Sequence, residues 1–243
     1  MRKSPKSSLL QASSPIPSGV AAIIVAAGSS QRMGGQDKLF LPLGKLPVLA
    51  RAVEPFQRSE LVRHIVLVVN RSNQRMTREL VERLHWTKVA HVCLGGPRRQ
   101  DSVARGLSKL TGCEWVVVHD GARPFVDEEM VRRGLEAARQ TGASVAAMPV
   151  KDTIKIAGED GLVRETPPRK DLWIAQTPQV FRFDIISNAY ARTGEEATDD
   201  AVLVERLGYR VRLFPGSYDN IKITTPEDLR LAQLLLEGRN EQL

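Results

Sequence analysis

The chain is poor in cysteine, in aromatic residues and in long apolar runs, and each shortage closes off a class of protein. Cys93 and Cys113 are the only cysteines in 243 residues, too few for a disulfide framework, and no Cys/His spacing matches a zinc site. Both lie in apolar, strand-like runs and read as small buried hydrophobes in a reducing compartment. His64, His85, His91 and His119 are scattered, leaving no cluster for a structural metal. Aromatics make up 5% of the chain and do not alternate with its cations, so the stacking platforms of nucleic-acid binders are missing and no nucleic-acid partner is expected. No apolar run approaches the roughly 18 residues of a membrane span, so no membrane association is expected. No G-x-G-x-x-G follows a strand, which counts against a dinucleotide-dependent dehydrogenase. No Gly-Lys-Ser/Thr occurs at the first loop either, since Lys38 lies between Asp37 and Leu39. No G-x-S-x-G surrounds Ser29, Ser30 or Ser102, so no nucleophile with its own base is evident.

Residues 1–19 lack acids, carry Arg2, Lys3 and Lys6, and are rich in Ser and Pro. They read as a disordered N-terminal extension; without clear amphipathicity they make a poor transit peptide, so the expected compartment is the cytoplasm, with a plastid only if the extension is such a peptide. The net charge is +7, a surplus that suits anionic ligands.

What is present is an alternation of buried strands and amphipathic helices. Ile23–Ala26, His64–Val69, Val89–Leu94, Trp115–Val118 and Ala143–Met148 read as strands apolar on both faces. Between them lie a helix starting near Pro47, one over Ser72–Leu84 with Met76, Leu80, Val81 and Leu84 on one face, one through Leu110, and one capped by Asp127. The rhythm predicts an α/β fold, a doubly wound and mostly parallel sheet covered by helices. Further on, Gln179–Phe181 resumes the order. A helix is expected from Asp184 and another at Thr198-Asp199-Asp200, where the two acids read as a helix start. Strands are expected at Arg210–Phe214 and Asp219–Thr224, then a last helix begun by Thr225 and Pro226. Residues 150–177 interrupt the pattern: two short alternating runs flank Gly158-Glu159-Asp160-Gly161, as in a β-hairpin, which predicts an arm that grips a second subunit.

Three loops rich in glycine and charge, at 27–38, 95–102 and 119–124, all follow strands. In such sheets ligands bind outside the carboxyl ends of the strands, so these loops should meet at one edge. They bring Arg32, Lys38, Arg98, Arg99 and Arg123 there, with Lys222 from further on and Asp120 and Asp219 as the nearest acids; Arg98 by itself reads as solvated. Cations neutralise charge on a reacting phosphorus, and an aspartate can hold Mg²⁺. A phosphate nucleophile is already ionised, which accounts for the missing base.

Ala26-Ala27-Gly28-Ser29-Ser30-Gln31-Arg32-Met33 with Lys38, Asp101-Ser102-Val103, His119-Asp120-Gly121-Ala122-Arg123-Pro124, Gln176-Thr177-Pro178-Gln179 and Asp219-Asn220-Ile221-Lys222-Ile223-Thr224-Thr225-Pro226-Glu227-Asp228 together resemble one family. It is the 2-C-methyl-D-erythritol 4-phosphate cytidylyltransferases of the non-mevalonate isoprenoid pathway. The resemblance implies one Rossmann-like cytidylyltransferase domain over 20–243. It implies transfer of CMP from CTP to 2-C-methyl-D-erythritol 4-phosphate with Mg²⁺, releasing pyrophosphate; ribitol 5-phosphate is the alternative acceptor. It assigns catalysis to Arg32, Lys38 and Lys222, and the nucleotide to Ala26, Ala27, Gly28, Gly96, Arg99 and Ser102. The polyol phosphate falls to Asp120 and Arg123, joined by Thr153 and Arg169 from the arm of a homodimer partner. Asp120 and Asp219 are the candidate metal ligands. The chain departs from the family at Asp37-Lys38-Leu39, where Pro-Lys-Gln is frequent.

Overall fold

The structure, a computed structural model, describes residues 19–28, 37–192 and 196–240. Its centre is a seven-stranded sheet. The first strand, β1 (Val20–Ala26), is followed by a small β-ribbon of β2 (Pro42–Leu43) and β3 (Leu46–Pro47), then α1 (Val48–Arg58). β4 (Val62–Val69), α2 (Gln74–Arg83), β5 (Val89–Leu94), α3 (Arg99–Leu107), β6 (Trp115–Asp120), α4 (Glu128–Ala138) and β7 (Ala143–Pro149) continue the alternation. The arm carries β8 (Ile156–Ala157) and β9 (Val163–Glu165). The chain returns through β10 (Trp173–Arg182), α5 (Phe183–Arg192), α6 (Asp200–Arg206), β11 (Arg212–Pro215) and α7 (Pro226–Asn240).

The sheet order is β11-β7-β10-β6-β1-β4-β5. Strand pairs are parallel except those of β10, which runs antiparallel between β6 and β7. Alternate residues of β1 face opposite layers, as strand geometry requires. Ala22, Ile24 and Ala26 pack with Leu49, Val53 and Phe56 of α1 and Met130 and Leu135 of α4. Ala21 and Ile23 pack with Val103 and Leu107 of α3, Ile185 and Ile186 of α5, and Leu203 of α6. The sheet is therefore covered on both faces, which is why its strands lack polar alternation. From β1 the chain proceeds outward through β4 and β5, then reverses to β6 on the other side of β1. That reversal opens a crevice at the carboxyl ends of β1 and β6.

Several sequence expectations are corrected in detail. Residues 219–224 form no strand: Asn220 N–H and Ile221 N–H close tight turns on Ser217 O and Asp219 O, and Ile223 N–H reaches only Ala122 O. Ile223 is nonetheless fully buried, against Leu43, Val48, Phe125 and Ala232. On α2 the buried residues are Thr77 and Leu80, whereas Met76 is exposed. α3 ends at Leu107, three residues before Leu110. Cys93 and Cys113 are half-buried free thiols, each pushed up by burial. Asp127 caps α4 as expected, accepting from Met130 N–H at 2.7 Å. α7 opens with a reciprocal cap in which Asp228 accepts from Thr225 N–H at 2.9 Å and Thr225 Oγ1 accepts from Asp228 N–H at 3.4 Å. Among the described residues, no helix is long and apolar enough to cross a membrane.

Candidate active site

The three charged loops do converge. A cleft of about 560 Å³ at the carboxyl edge of the sheet is lined by Ala26, Ala27, Gly28 and Lys38 from the first loop, Gly96, Arg98, Arg99 and Ser102 from the second, and Asp120 from the third. Lys222 and Thr224 close it from the segment before α7. Arg32 lies outside the described residues.

Each wall is built from local chemistry. β1 ends at Ala26 and is followed by Ala27 and Gly28, so among the described residues this wall of the cleft carries no side chain longer than a methyl group until Lys38. Asp37 starts a single 3₁₀ turn, Lys38–Phe40, by accepting from Leu39 N–H at 3.1 Å. Its other oxygen accepts from Asn73 Nδ2 at 2.9 Å, and the same amide nitrogen donates to Ala26 O at 3.2 Å. The departure at Asp37 thus ties the Lys38 turn to the end of β1. In the second loop, Ser102 Oγ accepts from Gly96 N–H at 3.1 Å and donates to Arg98 O at 3.2 Å. The glycines are obligatory there: a Cβ on Gly95 would stand 2.4 Å from Ala27 Cβ, and one on Gly96 2.3 Å from Asp101 Cβ. Arg98 is not merely solvated; its guanidinium donates to Asp101 at 2.6 Å while Asp101 also accepts from Arg98 N–H.

Asp120 is the electrostatic centre. It is 6% exposed, and three cations surround it. Lys222 Nζ lies 2.9 Å from Oδ2, Arg123 Nε 3.5 Å from Oδ2, and Arg99 Nε 3.2 Å from Oδ1. Burial would raise this carboxyl, but Arg99, Lys222 and Arg123 outweigh it and hold it well below the usual carboxylate range. Arg99 also donates to Asp200 Oδ2 at 2.8 Å, and Tyr190 Oη donates to Asp200 Oδ1 at 2.5 Å. Burial alone would lower the Arg99 guanidinium; Asp200 and Asp120 raise it instead. Arg123 sits behind the cleft wall, its Nη1 donating to Asn220 O at 2.7 Å. Its buried Nε makes no hydrogen bond. His119 is fully buried, and burial pushes its pKa down to about 4, so the ring is neutral at pH 7.

Asp200 and Tyr190 escaped sequence reasoning. Asp199 does cap α6, accepting from Val202 N–H at 3.1 Å, but its neighbour is a buried counter-ion whose partner lies far away in sequence. Asp219 is not part of the cleft wall and faces Arg239 at 3.4 Å. Among the described residues no group of three or more His, Cys, Asp or Glu is placed to hold a metal, and Asp120 is the only acid lining the cleft. Thr153 and Arg169 are exposed on the arm and do not line this chain's own cleft; Arg169 Nη1 donates to Lys151 O at 2.8 Å.

A doubly wound sheet with a small-residue loop and a cation cluster at its switch point is the architecture of a Rossmann-like nucleotidyltransferase. The family profile described as IspD, 2-C-methyl-D-erythritol 4-phosphate cytidylyltransferase, matches residues 20–238. The chain belongs to that family. A protein of that name from Dehalococcoides mccartyi is 53% identical over 218 residues, covering 90% of this chain and 96% of the relative. One from Geobacter metallireducens is 44% identical, covering 90% and 98%. The crystal structure of 4-diphosphocytidyl-2C-methyl-D-erythritol synthase from Anaerococcus prevotii superposes with a TM-score of 0.82 at 32% identity, covering 90% of this chain and 96% of that one.

Proposed function

We propose that the cleft transfers the cytidylyl group of CTP to 2-C-methyl-D-erythritol 4-phosphate, giving 4-diphosphocytidyl-2-C-methyl-D-erythritol and pyrophosphate for isoprenoid precursor synthesis. The observation that carries this reading is the gathering of Arg99, Arg123 and Lys222 on one buried carboxylate, Asp120, beside the small-residue loop. An oxygen of the polyol phosphate attacks the α-phosphorus of CTP. The bond between that phosphorus and the bridging oxygen breaks, and pyrophosphate leaves with the electron pair. Both reacting groups are anions, so preorganised positive charge is the main requirement and no general base is needed.

Lys38 and Arg32 hold the triphosphate in this scheme. Lys222, already oriented by Asp120, bridges the α-phosphate and the incoming phosphate. Ala26, Ala27 and Gly28 lie against the nucleotide, Gly96 and Ser102 read the cytosine, and Arg99 fixes the same loop. Asp120 and Arg123, an ion pair with Arg123 Nε 3.5 Å from Asp120 Oδ2, hold the polyol phosphate. A Mg²⁺ would arrive on the triphosphate and keep phosphate and water oxygens rather than an all-protein cage; Asp120, whose two oxygens also face Arg99, Arg123 and Lys222, is the one carboxylate among the described residues of the cleft that could join them. Bound there, it would neutralise charge on the phosphates. Asp219, outside the cleft wall, is left without a part in it.

The working form is a homodimer of single-domain chains, each spanning about residue 20 onward, in the cytoplasm. The arm supports this, because Ile156, Leu162, Val163, Trp173 and Ile174 all expose apolar surface along it. It would carry Thr153 and Arg169 into the partner's cleft.

The test is pyrophosphate release with a panel of nucleoside triphosphates and polyol phosphates in Mg²⁺. Turnover is expected only with CTP and 2-C-methyl-D-erythritol 4-phosphate. Preference for ribitol 5-phosphate would replace the acceptor, and no turnover with any pair would overturn the reading.

A further inference from the structure

We propose that His119, Thr177 and Asn220 form a closed hydrogen-bond ring with Arg123 that positions Asp120 and Arg123 for the polyol phosphate, with the His119 Nε2 proton directed at Arg123 O. The inference rests on the assignment of Asp120 and Arg123 to that substrate.

The ring can be traced atom by atom. His119 Nε2 lies 3.1 Å from Arg123 O. A carbonyl oxygen only accepts, so Nε2 carries the proton. Nδ1 faces the Thr177 hydroxyl, the group of the ring with a proton to give it. Thr177 Oγ1, 3.1 Å from Nδ1, must therefore point its hydroxyl proton there. That leaves the lone pairs of Thr177 Oγ1 for Asp120 N–H, which donates to it at 3.0 Å. Thr177 O accepts from Asn220 Nδ2 at 2.8 Å, and Asn220 O accepts from Arg123 Nη1 at 2.7 Å, which closes the circuit. Every direction is determined, and none can be reversed without leaving a buried group unpaired.

The burial fits a frame rather than a surface network. His119 and Asn220 are fully buried, and Thr177 is 4% exposed. Phe56 packs on His119 with ring centroids 5.2 Å apart. The frame grips both ends of the Asp120–Arg123 turn, the backbone N–H of the first residue and the carbonyl of the last. Asn220 lies two residues before Lys222, so the same ring fixes the origin of that lysine. Three motifs far apart in sequence, His119-Asp120, Thr177-Pro178 and Asn220-Ile221-Lys222, thereby act as one unit.

Two measurements on the dimeric full chain decide it. In ¹⁵N-histidine-labelled protein, the His119 signals should show a proton on Nε2 and none on Nδ1; a proton on Nδ1 overturns the frame. In kinetics, Thr177→Val should raise KM for 2-C-methyl-D-erythritol 4-phosphate about tenfold, as expected for an unpaired buried donor, with KM for CTP changed less than about twofold. Thr177→Ser should bring the first KM back to within about twofold of the parent. Equal changes in both KM values, or no change in either, would mean the ring only supports the fold and would overturn the inference. Arg123→Lys should raise the same KM as Thr177→Val; if it leaves that KM unmoved, the assignment of Arg123 to the polyol phosphate fails, whatever the tautomer.

Discussion

Asp120 and His119 are neighbours with opposite solutions to burial. The carboxylate stays charged because Arg99, Lys222 and Arg123 offset its desolvation. The imidazole has only neutral partners in Thr177 and Arg123 O, so it gives up its proton, its pKa falling from 6.5 to about 4. In the unfolded chain His119 binds a proton below about 6.5, whereas the folded chain refuses it until about 4. Stability of the unliganded protein should therefore decline as pH falls through that window, by something on the order of 3 kcal/mol at its lower end. Asp120 adds loss only below about 3.8, where the unfolded chain's carboxyl is protonated and the folded one is still held charged. Urea unfolding of the parent and of His119→Gln at several pH values separates the two. The parent should lose more stability than the variant between about pH 6.5 and 4; parallel slopes would show that His119 is not the buried neutral group described. At this scale the cations and Asp120 were legible because their residue types and loop positions advertise phosphate chemistry. Asp200 was not, since a Thr-Asp-Asp run looks like a helix cap whether or not its second acid faces an arginine some hundred residues away.

The strands of the first half could be read from their unbroken apolar runs, which burial on both faces produces. The segment 219–224 carries a similar apolar pattern yet forms no strand. Its Ile223 is buried against the β2–β3 ribbon and α7 rather than within the sheet. Apolar spacing reports burial, not pairing. The arm was legible for a different reason: its Gly/Asp turn between alternating runs marks a hairpin, realised in β8 and β9 by pairs such as Ile156 with Glu165. Its apolar residues are exposed, and Thr153 and Arg169 on it do not line their own chain's cleft. If the arm serves the partner's site, Lys38→Ala in one chain and Arg169→Ala in the other fall in the same site of a mixed dimer and leave its second site intact. Lys38→Ala alone should lower kcat by about 10²-fold or more. Exchanging subunits between it and an inactive Arg169→Ala protein should restore one working site per heterodimer, up to about half the parental activity per heterodimer. Activity that never rises above either variant alone would place the whole site within one chain.

On the scale of the molecule, the α/β alternation told of a parallel sheet, and the loop positions told at which edge they line a common cleft. The antiparallel run of β10 was hidden: the arm carries the chain out at Pro149 and brings it back in the opposite sense at Trp173, a consequence of tertiary path that no local pattern records. That return places Thr177 beneath Asp120 and so joins the arm's base to the site. On the proposed reading, this edge assembles two phosphate groups so that one attacks the α-phosphorus of the other. The most direct measurement follows the label in separate reactions with α-³²P-CTP and γ-³²P-CTP, each with 2-C-methyl-D-erythritol 4-phosphate. The α-label should enter the diphosphocytidyl product and the γ-label should appear only in pyrophosphate. Transfer of γ-label to the polyol would contradict it.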